Sequence, residues 1–271
     1  MSRFLCVALT AAAIFLSGVP AIAEPLQPIT SKWNYNFGTT QCIASRTYGN
    51  PANPVTLLIV PSLNGQTYQL LVARKFGVSE LATEEDGTID FGDGPIKAWV
   101  LFYQTSDRSA DVHQFRIAAA EMARARSATR VALRIGGSSD FTFELAEMPQ
   151  VVDGLRACTA DLQHYWNMSA EVNRTFSKPP HGDLRSVFAD VNYPPVAYRR
   201  WEQGKGDYLL LIDETGKVAG CDVLTPTGVP ILDAAACAII QEKAKFAPAL
   251  DKSGKRVRST VVTPPIAFKL Y

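Results

Sequence analysis

The chain has 271 residues, 47% of them hydrophobic and 20% charged, with a formal net charge of +1 at pH 7. That length allows one large domain or two small ones, and the apolar content is enough for either. Near-neutral charge excludes the global attraction that would draw the whole chain to nucleic acid or to an anionic membrane.

The N-terminus reads as a targeting segment. Arg3 supplies the positive start, Phe4 to Val19 is an apolar run, and Ala21-Ile22-Ala23 before Glu24 fits a small-x-small cleavage site. Residues 1–23 are therefore expected to be a cleaved signal peptide. A membrane span needs about 20 apolar residues, so an uncleaved inner-membrane anchor is the alternative. Cleavage removes Cys6 and leaves Cys42, Cys158, Cys221 and Cys237. An even count in an exported chain favours disulfides, with buried free thiols as the alternative. Keeping each bridge within one domain selects Cys42–Cys158 and Cys221–Cys237 from the three possible pairings.

Glu24 to Thr30 is a proline-bearing lead-in. Strand patterns follow at 33–37, 41–47, 55–60, 67–73 and 98–104, the third a continuous apolar run. Asn64-Gly65 signals a hairpin. Asp86-Gly87 and Asp93-Gly94 signal turns, and the carboxylates Glu84, Glu85 and Asp86 read as a solvated loop. His113 to Ile117 fits a strand and the Ala-rich stretch 118–126 a short helix. Residues 129–135 and 141–145 alternate again, separated by a turn at 136–140. From Met148 to Trp166, apolar residues at 151, 152, 155, 158, 162 and 166 form a helical stripe that carries Cys158 inward. Residues 31–167 thus read as a β-rich domain closed by a helix. Its layout, with an N-terminal Trp strand and a cysteine before the strands, is loosely similar to the invasion-associated locus B family of exported proteins. No residue role is carried over from that likeness. The polar stretch 168–190, with Pro179-Pro180-His181-Gly182, reads as a linker.

The last eighty residues organise the rest. Tyr193-Pro194 opens them. Strands at 208–212 and 218–224 flank the turn Asp213 to Lys217, in which Gly216 fits a left-handed position. Thr225-Pro226-Thr227-Gly228 breaks the chain, and a helix runs from about Leu232 to Lys245 with Leu232, Ala235, Ala236, Ile239 and Ile240 on one face. Asp233 stands near its start, where a carboxylate suits the dipole and can cap free amides. Phe246-Ala247-Pro248-Ala249 ends the helix. A final strand carries Ile266, Phe268 and Leu270 inward. The fold class is α+β, with a small antiparallel sheet and one packed helix in the C-terminal part (residues 191–271).

That order of pieces resembles the C-terminal domain of the TonB family. The carriers are Tyr193-Pro194, Asp213 to Val218, Thr225 to Gly228, Leu232-Asp233-Ala234-Ala235, Phe246 to Ala249 and Pro265 to Leu270. The resemblance implies a periplasmic, non-enzymatic protein that takes up an extended segment of an outer-membrane receptor, or another envelope partner, by strand addition. Pro264-Pro265 places the final strand at a sheet edge. The expected partner-binding residues are Arg258, Ser259, Thr260, Val261, Val262 and Thr263, with Asn192 and Tyr193 nearby. An edge protected by Arg258 and the prolines is the alternative. Energy transduction is not expected, because a folded domain and a linker of at most about 80 Å stand where the family has a long rod.

Enzyme signals are thin. His113, His164 and His181 are not spaced as ligands, no Cys-x-x-Cys is present, and neither a Gly-x-Ser-x-Gly nor a P-loop occurs. No metal or cofactor is expected. A second hypothesis gives the function to residues 31–167, through a pocket lined by Trp33, Tyr68 and Phe102, with the TonB-like part only docking it.

Overall fold

Period-two alternation in the first half of the chain builds a single antiparallel sheet. The computed structural model describes residues 25–29, 32–75, 83–105, 109–136, 139–188 and 193–270. The expected targeting segment lies outside them. Nine strands run in sequence: β1 (Asn34–Phe37), β2 (Cys42–Asn50), β3 (Asn53–Pro61), β4 (Thr67–Lys75), β5 (Thr83–Asp90), β6 (Pro95–Gln104), β7 (Ala110–Ala118), β8 (Arg130–Ile135) and β9 (Ser139–Glu144). Their order in the sheet is β1-β2-β3-β4-β7-β6-β5-β8-β9.

The proline-bearing lead-in closes this sheet. Leu26 bridges to Phe143 of β9 and Pro28 to Tyr48 of β2. The Leu26 N–H donates to the Thr142 carbonyl at 2.7 Å and the Ile29 N–H to the Thr47 carbonyl at 2.8 Å. Curling a sheet onto itself in this way hides edges that would otherwise invite pairing. A short helix α1 (Ala119–Met122) follows β7, and α2 (Met148–Tyr165) packs against the barrel through Val151, Val152, Leu155, Cys158 and Leu162. The Cys42–Cys158 disulfide ties α2 to β2 across 6.1 Å between Cα atoms. The Trp33 indole donates to the Ala146 carbonyl at 2.9 Å.

The turn expected at Asp86-Gly87 and the carboxylate loop beside it are instead part of β5. The reason is crowding. A Cβ on Gly87 would lie 2.4 Å from Val100 Cγ2 and 2.6 Å from the Arg134 carbonyl oxygen. The glycine lets three strands approach, which a local turn signal does not reveal.

The remaining elements are α3 (Ala170–Asn173), β10 (His181–Gly182), α4 (Leu184–Val187), α5 (Pro195–Arg199), β11 (Gly204–Ile212), β12 (Val218–Thr225), α6 (Pro230–Lys243), β13 (Phe246–Ala247), β14 (Ala249–Leu250), β15 (Arg256–Val257), β16 (Ser259–Val262) and β17 (Ile266–Phe268). β11 is central, with β12 on one side and both β16 and β17 on the other. The stretch read as a linker runs along this unit: β10 pairs with β13, and Lys178 bridges to Leu250.

Alternation along β11 gives the small sheet two covered faces. Tyr208, Leu210 and Ile212 share a core with Leu232, Ala236 and Ile240 of α6. The Cys221–Cys237 disulfide stitches that face, with 5.5 Å between Cα atoms. Leu209 and Leu211 point the other way and belong to the barrel core, with Ala219 and Leu224 packed beside them. The β3–β4 hairpin locks the contact, because the Leu63 N–H donates to Asp222 Oδ2 at 2.7 Å.

Candidate functional site

The hydrogen-bond parity of β16 decides which of its groups are open. The Thr263 N–H donates to the Tyr208 carbonyl at 2.9 Å. The register pairs Leu209 with Val262, Leu210 with Val261, Leu211 with Thr260 and Ile212 with Ser259. Antiparallel alternation then turns the backbone groups of Ser259, Val261 and Thr263 toward β11. Those of Thr260 and Val262 point outward. Ser259 and Thr263 are buried, whereas Val262 is 59% exposed. Among the described residues no strand pairs with this outer edge. Pro264 and Pro265 follow, and neither has an N–H to offer.

Arg258 closes one end of the edge. Its Nη1 lies 2.6 Å from Glu214 Oε1, and its Nε donates to the Tyr165 carbonyl at 3.2 Å. Its guanidinium carbon sits 3.8 Å from the centre of the Tyr165 ring. The Arg258 carbonyl, which shares the outward parity of Thr260, receives a hydrogen bond from Asn167 Nδ2 at 2.7 Å. The arginine faces back onto the end of α2, and the open edge starts at Thr260.

A buried polar network backs the edge. The Tyr208 N–H donates to Thr263 Oγ1 at 3.0 Å, and the Tyr208 hydroxyl donates to Asp233 Oδ1 at 3.1 Å. The Thr227 N–H reaches the same oxygen at 3.0 Å. Asp233 therefore spends its acceptor on a loop and a tyrosine, and the residue at the helix cap, Val229, has no side-chain bond to the helix. Burial pushes the Asp233 carboxyl above its ordinary value, and burial with the neighbouring Asp233 charge raises the Tyr208 phenol. Burial raises Asp222 as well.

Tyr193 stands elsewhere. Its hydroxyl donates to the Glu202 carbonyl, and its ring lies 5.8 Å from Phe268 and 6.3 Å from Tyr198. Phe268 pairs with Gly204 while Ser259 pairs with Ile212. Tyr193 is thus roughly 27 Å along the sheet from Arg258 at ordinary strand rise. Asn192 lies outside the described residues.

A cavity of about 390 Å³ opens between the two units, lined by Trp99, Arg116, Asp222, Cys221, Pro230 and Asp233 among others. Arg116 Nη2 donates to the Val223 carbonyl at 3.3 Å on its wall. Its lining comes from residues more than a hundred positions apart, which no local pattern in the sequence brings together. Trp33 and Tyr68 are buried, and Phe102 packs its ring 4.9 Å from that of His113. Among the described residues no group of three or more His, Cys, Asp or Glu side chains is placed to hold a metal ion.

A central hairpin, one helix stitched to it by a disulfide, and a late proline-broken strand with an open edge define a small α+β domain. Residues 189–270 match the family described as Gram-negative bacterial TonB protein C-terminal. The C-terminal unit is therefore a domain of TonB C-terminal type, and the match does not extend into the barrel. The family suggests an envelope protein. No curated protein matches the chain. Among the described residues no helix is long and apolar enough to cross a membrane.

Proposed function

We propose that the chain is a non-enzymatic periplasmic binding protein whose β16 edge takes up an extended segment of an envelope partner, an outer-membrane receptor being the class the family suggests. The observation that supports this is the parity of β16. Thr260 and Val262 present N–H and C=O groups outward on a strand whose other side is fully paired to β11. Such groups are the template for strand addition. Of the expected stretch Arg258 to Thr263, Thr260 and Val262 would make the backbone bonds, Arg258 closes one end, and Ser259, Val261 and Thr263 hold the strand to β11. The test is amide hydrogen exchange on the full chain titrated with receptor N-terminal peptides. New protection at Thr260 and Val262 supports the reading, and protection confined to the barrel refutes it.

A second reading gives the function to the barrel and leaves the TonB-type domain as its dock. It is favoured by Leu209 and Leu211 lying in the barrel core, which makes the two units one packed body. Peptide-independent protection at the walls of the cavity between the units, in envelope extract, would select this reading.

A further inference from the structure

The turn after α5 carries a residue that its backbone does not favour. The Trp201 N–H donates to the Tyr198 carbonyl at 3.1 Å and the Glu202 N–H to the Ala197 carbonyl at 3.0 Å. This pair of bonds is the Schellman arrangement, whose residue just past the helix cap, the donor of the shorter loop, takes a left-handed backbone and is usually glycine. Here that residue is Trp201, at φ 55°. A bulky side chain in this conformation is strained. The indole gains little cover in return, since Trp201 is 70% exposed, and Tyr198 beside it is 58% exposed. Neither local conformation nor core packing accounts for a tryptophan here, and strain held in place without a structural return marks a functional position.

The surroundings choose the partner. Arg199, Arg200, Lys205 and Lys269 are all exposed. Lys205 lies opposite Ala267 in the β11–β17 ladder, and the adjoining Gly204 lies opposite Phe268, which brings Lys269 to the same turn. Arg200 contacts Glu202 at 3.7 Å, and among the described residues Arg199, Lys205 and Lys269 form no salt bridge. Two aromatic rings are too little apolar surface for the core of a standard protein interface. They suit the boundary of a bilayer, where tryptophan and tyrosine settle at headgroup level and basic side chains meet anionic lipid. We propose that the Tyr198–Trp201 turn is a membrane-contact tip for an anionic lipid surface. The net charge of +1 gives no general attraction, so the contact is local.

The test uses the full chain with vesicles of phosphatidylcholine, with and without phosphatidylglycerol, in co-sedimentation at low and high salt. The wild type is expected to bind the anionic vesicles and to release them in high salt. Arg199→Glu should weaken binding by about tenfold or more, given the attraction of each basic residue to the surface. Trp201→Gly should weaken it severalfold while leaving Tm unchanged or higher, because glycine relieves the left-handed strain. A wild type that ignores anionic vesicles overturns the proposal, as does a Trp201→Gly variant that binds them equally. So does a fall in Tm with Trp201→Gly, which would make the indole structural. If Trp201→Gly binds vesicles normally but loses receptor peptide, the turn faces a protein and the lipid assignment falls. Peptide uptake at β16 can fail without affecting any of these readings.

Discussion

The guanidinium of Arg258 is stacked on the ring of Tyr165, 3.8 Å from its centre, and donates to the carbonyl of the same residue. One side chain thereby joins the start of β16 to the end of α2, and Glu214 neutralises it at 2.6 Å. Cation–π contacts and partly exposed ion pairs each contribute about 0.5–1 kcal/mol. Arg258→Ala is expected to lower stability by about 1–2 kcal/mol in urea unfolding. Arg258→Lys should recover only part of it, because an ammonium cannot stack and fork as a guanidinium does.

Asp233 makes a second prediction with a definite sign. Burial raises its pKa, so the folded state holds a proton that the unfolded state has already released. Its contribution to stability is full below about pH 4 and is lost as pH climbs through the raised value. Asp233→Asn keeps an oxygen for Tyr208 and Thr227 and removes the ionisation. It should match the wild type at pH 7 within about 1 kcal/mol and flatten this part of the pH profile. Asp233→Ala leaves the Tyr208 hydroxyl and the Thr227 N–H without their acceptor and is expected to lose about 2–4 kcal/mol. Urea midpoints at several pH values distinguish the two variants.

His113 acts in the opposite direction. Burial, with Arg74 assisting, lowers its pKa from 6.5 to about 4, while Asp111 opposes the shift. Among the described residues neither buried ring nitrogen has a hydrogen-bond partner, and the ring sits between Phe102 and Phe141. The unfolded state therefore binds the proton first. Stability is full above about pH 6.5 and falls as pH drops toward 4, by at most about 3 kcal/mol. His113→Leu should remove this acid limb with little loss at pH 7. A wild-type profile flat between pH 6.5 and 4, or an unchanged one in the variant, would contradict the assignment.

These groups also show where sequence reasoning stopped. The stripe on α2, the hairpin at Asn64-Gly65 and both disulfides were legible because each rests on local period or on cysteine parity. Gly216 was legible as a left-handed turn residue, and its φ is 88°. Its second constraint was not, since a Cβ there would lie 1.8 Å from the Phe246 carbonyl oxygen, thirty residues away. Gly87 misled for the same reason, reading as a turn while serving strand approach. The TonB-like order of motifs pointed to the strand that became β16, but not to how much of its outer side is open. That extent depends on Asn167 reaching the Arg258 carbonyl from the other unit, a contact no local pattern encodes.

The parity of β16 gives the sharpest test of the proposed docking edge. Val262 turns its N–H away from β11, and Val261 turns its N–H toward it, opposite Leu210. Proline removes an N–H and tolerates an edge position, provided the lost donor was not in the ladder. Val262→Pro should therefore fold with a loss of no more than about 1 kcal/mol and yet fail to protect or bind an added strand. Val261→Pro breaks a ladder bond inside the sheet and should lose about 3 kcal/mol or more. Calorimetry reads the first difference, and titration of receptor N-terminal peptides reads the second. If Val262→Pro binds peptide as the wild type does, strand addition at this edge is wrong, even with the fold intact. If both variants unfold alike, the outward parity assigned to Val262 is wrong.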